Sequence, residues 1–262
     1  MSAAETRPGI ALRLWAVLVG IVLFAPLAVV VPLSLTEKRS FKFPPDGFST
    51  RWYGSFFTDE AWLRALGNSL WIGLVVALVC CVLGTLAALG IQRLPARVSG
   101  VVQGLLLAPL IIPGIVSAVA IYSVFLKWKL SGNPLGFILA HAVLAIPFVV
   151  VTVNASLAGY DRTLDRAAAS LGAGPLRIFA RVTLPIIAPG VGAGALFAFV
   201  TSFDEVVAAM FLQSPKIRTL PVEMFVSVTN EVDPTIAVVS TLILAVTSAV
   251  VLVPALTRSQ SR

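Results

Sequence analysis

Six runs in this 262-residue chain contain no Asp, Glu, Lys or Arg: 14–33, 67–91, 103–126, 136–158, 186–203 and 236–256. A bilayer's hydrocarbon core is about 30 Å thick, which about 20 helical residues span. Inside it an unpaired backbone amide or carbonyl is too costly to leave, so such runs become helices or closed barrels. None of the six alternates polar and apolar residues as a strand does. The prediction is an all-α polytopic membrane protein with six transmembrane helices. Residues 1–262 then make a single transmembrane domain, with no room for a further globular one. The charged fraction agrees: it is 12%, against about a quarter in soluble domains. The first run is too long for a signal-peptide core and reads as a retained anchor.

Charge and motif excluded several function classes. The net charge of +7 comes from basic residues scattered over the loops, a membrane-protein loop bias rather than a nucleic-acid surface. No GxxxxGK[ST] phosphate loop is present, so any ATP hydrolysis belongs to another chain. Neither a metal-spaced His/Glu set nor a Gly-x-Ser-x-Gly with a partner histidine occurs, and no catalytic, metal or cofactor residues are assigned. Cys80 and Cys81 sit side by side in an apolar run and read as packing residues. His141, the single histidine, reads as a hydrogen-bonded residue of the bundle. A self-powered secondary transporter would need acidic or basic residues at mid-membrane, and the six runs supply almost none.

Within the spans, small residues and prolines mark special positions. Gly73, Gly84, Thr85, Ala87 and Ala88 make the second span a central one, because small residues let helices approach closely in lipid. Gly190, Gly192 and Gly194 mark a close contact on the fifth. Pro109, Pro113 and Gly114 predict a bent or locally unwound third span, either a pathway wall or a simple kink. The loop 34–66 carries Trp52, Tyr53, Phe56, Phe57 and Trp62, and part of it should lie along the membrane surface as a short amphipathic helix.

The stretch 160–185, YDRTLDRAAASLGAGPLRIFARVTLP, is a polar elbow between the fourth and fifth spans. Asp161 or Thr163 can cap a short helix whose Leu164, Ala168 and Leu171 share a face. Gly172 ends it in a left-handed turn, and Gly174-Pro175 starts a second short helix bearing Arg177 and Arg181. Leu184-Pro185 closes the unit before the next span. Arg166-Ala167-Ala168, three residues, Gly172, nine residues, Val182, one residue and Leu184-Pro185 resembles the EAA loop of ABC-importer permeases. Arg166 stands where that family usually has Glu, with Asp165 beside it as the carboxylate that can partly substitute. The resemblance implies a type I permease fold in which Asp165, Arg166, Ala167, Ala168, Ala169, Leu171, Gly172 and Pro185 couple to an ATPase as a cytoplasmic coupling helix.

On the opposite side Ser202-Phe203-Asp204-Glu205-Val206 ends the fifth span. Two carboxylates at a helix C-terminus oppose its dipole and suit either water or a cationic solute, so Phe203, Asp204 and Glu205 are candidate pathway residues. SFDEV together with RTLPVEMF and EVDPTIAVVSTL is similar to the spermidine/putrescine importer permeases. That resemblance implies a second permease subunit, two cytoplasmic ATPases holding ATP and Mg, and an extracytoplasmic polyamine-binding protein. Another organic cation or an amino-acid-like solute is the alternative cargo. Ten Lys/Arg lie on the elbow side and nine on the other, a margin too small to set orientation by charge. It is the resemblance that puts the elbow and both termini in the cytoplasm of a bacterial inner membrane.

Overall fold

The computed structural model describes residues 9–230 and 232–259, with side chains to residue 249. Apart from isolated bridges at Thr36–Phe48 and Ser214–Ile217, the regular structure of the described residues is helical. The chain forms two compact units, residues 1–63 with 224–262, and residues 64–223.

In the first unit, α1 (Ile10–Ser34) keeps Pro26 and Pro32 inside an unbroken helix. Its apolar side chains are exposed all round, from Leu14 and Trp15 to Leu27 and Val31, as expected of a surface made for lipid or a partner helix. The loop that follows folds back through two bonds. Ser34 Oγ lies 2.9 Å from the Tyr53 hydroxyl, and Trp52 Nε1 donates to Thr36 O at 2.8 Å. Trp52 and Phe56, one turn apart on α2 (Arg51–Thr58), are buried, while Arg51 sets its guanidinium 4.2 Å above the Trp52 ring. This is the short amphipathic helix expected of the aromatic loop. The last helix, α12 (Thr235–Ser259), packs on α1 and α2.

In the second unit the core is α6 (Pro134–Ala158), where Phe137, Ala140, Ala145, Val149, Val150 and Val153 are fully buried. It packs along α9 (Leu184–Phe203), and two glycines permit the approach. A Cβ on Gly190 would meet the Thr152 carbonyl at 2.7 Å, and one on Gly194 would meet Val149 Cα at 3.0 Å. This is the small-xxx-small spacing of close helix pairs in lipid. Gly192 faces open space, which corrects the expected three-glycine contact. Positions two apart point to opposite sides of a helix, so Gly192 cannot share the seam. The long helix α3 (Glu60–Ile91) joins the same core, with a Cβ on Gly84 only 2.8 Å from Val149 Cβ. Cys80 is buried against the Ala142 carbonyl, 3.7 Å away.

The third run is not one straight span. It divides into α4 (Ala96–Leu107), a 3₁₀ turn at Ala108–Leu110, and α5 (Gly114–Lys127), bent by 99°. Pro109 and Pro113 lack the amide hydrogen the ladder needs. Ala108 stays helical before Pro109, and the chain leaves helical geometry at Pro113, whose ψ is 132°. The fifth span is also longer than expected, because helix continues from Pro175 to Phe203. Among the described residues four helices are thus long and apolar enough to cross a membrane, or five if the bent pair counts as one. The sixth run lies in α12, and its residues from 250 onward have no described side chains.

Candidate functional site

The elbow begins one residue after the Gly159 cap of α6. Asp161 starts its first helix, α7 (Thr163–Ser170), by accepting from the Thr163 amide at 2.8 Å and the Thr163 hydroxyl at 2.6 Å. Those bonds stabilise the ionised form and hold the Asp161 carboxyl below its ordinary 3.8. At the other end the Gly172 amide reaches Ala169 O (2.9 Å) and the Ala173 amide reaches Ala168 O (3.1 Å). With Gly172 at φ +82°, these are the paired bonds of a Schellman cap. The alanines of the motif therefore serve the turn through their carbonyls, and Leu171 is left standing at the tip, 90% exposed. Leu176 beyond the turn is 79% exposed. Arg166, Ala167 and Ala169 also face outward, while Asp165 and Ala168 are half-buried.

Beyond the turn, α8 (Pro175–Ile178) is not a separate helix. It runs through a π-helical turn, Phe179–Thr183, into α9 without a break at Pro185. A proline ring inside an α-helix collides with the carbonyl four residues earlier, and the wider turn lies where that conflict with Arg181 would arise. The elbow's second arm is therefore the first part of the fifth span.

Asp165, the carboxylate beside the position of the missing Glu, is half-buried. Its Oδ1 accepts from the Tyr160 hydroxyl and from Thr183 Oγ1 (3.2 Å), and Tyr160 Oη lies 3.3 Å from Thr183. Burial, then the Asp165 carboxylate beside it, push the Tyr160 phenol above its ordinary 10.0. Arg162 Nη2 ties the elbow to the end of α3 through Gln92 Oε1 (3.1 Å) and Gln92 O (3.3 Å). These groups line a cleft of about 200 Å³ with Leu89, Leu157 and Phe179. Tyr160, Thr183 and Gln92 were not among the sequence candidates. A hydroxyl at a helix end carries no local signal of a partner some twenty residues away.

At the far end of α9 the two acids part company. Asp204 caps α9 and is exposed, whereas Glu205 Oε1 accepts from the Ala208 amide at 2.8 Å, at the start of α10 (Val207–Leu212). The expected clash of Glu205 with the α9 dipole is thereby replaced by a favourable place at the next helix's N-terminus. Phe203 stacks on Phe199, centroids 5.7 Å apart. The following segment is pinned down rather than free. Asn68 Nδ2 donates to Arg218 O (2.9 Å), and Ser69 Oγ accepts from the Leu220 amide (2.8 Å). Glu223, in the first turn of α11 (Leu220–Asn230), pairs with Arg218 at 2.8 Å. Glu231 lies outside the described residues. His141 is buried with Nδ1 2.9 Å from Ser202 Oγ, the hydrogen-bonded bundle residue expected. Among the described residues no group of three or more His, Cys, Asp or Glu is placed to hold a metal ion.

Residues 80–262 match the model of the binding-protein-dependent transport system inner membrane component family. The chain belongs to this family. As an inner membrane component it is a multi-pass membrane protein whose homologues are ABC permeases. It is 34% identical over 229 residues to the putrescine transport system permease protein PotI of Escherichia coli (strain K12), covering 85% of this chain and 81% of that one. The spermidine/putrescine transport system permease protein PotC of the same strain is 30% identical over 233 residues, 88% of this chain and 87% of the relative. In fold it resembles a bacterial ABC transporter involved in the import of the acidic polysaccharide alginate. The TM-score is 0.71 at 14% identity, over 97% of this chain and 99% of the other.

Proposed function

We propose that this permease is the membrane subunit of an ATP-driven importer that carries polyamines, spermidine or putrescine, into the cytoplasm. In this reading the whole chain is one domain of six spans with both termini and the elbow on the cytoplasmic side. It works beside a second, different permease subunit, two ABC ATPases that hold ATP and Mg, and an extracytoplasmic solute-binding protein. It hydrolyses nothing itself. The observation that carries the coupling role is the bare Leu171 at the tip of a turn closed by two backbone bonds and continuous, through the π turn, with α9. An apolar tip on a rigid base is what an anchor offers to a partner's pocket. Movement of the ATPases against 166–172 would pass into α6 and α9, the two helices the elbow joins. At the other end of α9, exposed Asp204 would attract a cation as the pathway opens, with Phe203 beside it. The names of the two relatives support the polyamine cargo.

The test is reconstitution of the chain with its partner permease, ATPases and binding protein in vesicles. ATP-dependent putrescine or spermidine uptake, with hydrolysis stimulated by the loaded binding protein, is the expected result. Accumulation of putrescine by the purified chain alone, without nucleotide, would overturn the reading.

A further inference from the structure

We infer that Tyr160, Asp165 and Thr183 form a latch that makes the elbow one mechanical body with the ends of both α6 and α9. The inference rests on the coupling role proposed above and says which contacts transmit the load. An isolated helix of eight residues is not stable in water, and α7 buries no residue of its own. The Asp161 and Gly172 caps are local bonds, and they set the shape of α7 without attaching it to anything. Among the described residues two polar contacts attach it to the helices: Arg162 to Gln92 at the end of α3, and Asp165 to Tyr160 and Thr183.

The second contact joins three segments at one carboxylate. Tyr160 follows the last turn of α6, Asp165 sits in the first turn of α7, and Thr183 is the last residue of the π turn that leads into α9. Thr183 is buried, 6% exposed, so its hydroxyl is held where Asp165 can use it. Two hydroxyls donating to one carboxylate are charge-assisted bonds, stronger than neutral ones. Displacing the Leu171 tip while the latch holds drags both helix ends together. With the latch open, α7 and its turn can move without drawing α6 and α9 along. The carboxylate that seemed available for an ATPase is thus spent inside the permease.

The full transporter assembly in vesicles tests this, with a Tyr160→Phe/Thr183→Val double variant. The expected result is an assembly that still hydrolyses ATP but consumes about tenfold more per putrescine imported, within the range coupling free energies span. Amide hydrogen exchange over 163–171 should accelerate at the same time. Thr183→Ser, which keeps the hydroxyl, should restore the wild-type ratio that Thr183→Val loses. An unchanged ratio and unchanged exchange in the double variant, while Leu171→Asp abolishes uptake, overturn the latch and leave the coupling role standing. Unchanged uptake by Leu171→Asp overturns the coupling role itself. Should the double variant not assemble, the single Thr183→Val and Thr183→Ser proteins decide, and equal ratios between them overturn the latch.

Discussion

The elbow at 160–185 and the segment after α9, residues 204–223, are both short-helix connections rich in polar residues, and they treat those residues in opposite ways. After α9, Glu205 caps α10, Arg218 pairs with Glu223, and Asn68 and Ser69 hold the backbone at Arg218 and Leu220. Its apolar residues Leu212, Leu220 and Val222 are buried. The segment satisfies itself and leaves Asp204 as its exposed acid. In the elbow the polar groups also satisfy one another, through Asp161, Asp165 and Arg162, but the apolar residues Leu171 and Leu176 are turned outward. Burying a leucine is worth about 2 kcal/mol, so a chain that stiffens its polar frame and leaves the leucines bare presents them to something else. Self-sufficiency marks a wall, and an apolar tip on a self-sufficient frame marks a contact.

The largest effect should come from the tip. Gly172→Pro cannot adopt the observed φ of +82°, and Leu171→Asp puts a charge where an apolar anchor stands. Each should cut putrescine uptake about a hundredfold, the scale of losing a central interface anchor, with the protein still inserted at normal levels. Uptake at equal expression, measured in cells or vesicles, checks this. Near-normal uptake would erase the contrast between the two regions.

A smaller effect separates the two acids. Asp204→Asn should weaken putrescine uptake about fivefold, the worth of one solvated charge at contact distance. Glu205→Gln keeps the acceptor for the Ala208 amide and should change uptake less. Glu205→Ala should instead lower stability by about 1 kcal/mol, as the loss of a helix cap does. Uptake kinetics and thermal unfolding of the three variants sharpen the comparison, and equal losses for Asp204→Asn and Glu205→Gln would return the pair to one acidic lining.

The smallest effect is on pH. The Tyr160 phenol is raised in the folded chain, so the neutral form is favoured there. Its contribution is complete below the ordinary value of 10.0 and is lost as pH rises through the folded value. A tyrosinate absorbance titration of the protein minus that of Tyr160→Phe should therefore show a component titrating above 10.0. A component at or below it would show that the carboxylate does not face Tyr160.

Much of this was legible from local pattern. The membrane runs, the amphipathic helix at 51–58, the Gly172 turn and the capping role of Asp161 each follow from a few consecutive residues. The failures share one cause. The break expected at Pro109–Gly114 is present, and only its size, 99° between α4 and α5, was beyond local pattern. The glycine trio reduced to Gly190 and Gly194 because only those two face α6. Asp165 read as a carboxylate that can partly substitute for the usual Glu, and nothing local pairs it with Thr183.

By itself the sequence determined that the chain is helical and membrane-spanning, and where the elbow turns. Apolar length, proline and glycine act on the backbone within a few residues of themselves. Only the tertiary structure decided that Asp165 closes on Tyr160 and Thr183, that Glu205 serves α10, and that α8 is continuous with α9 through the π turn. A hydrogen bond is directional over about 3 Å, so which of several polar side chains it joins is settled by how the helices pack.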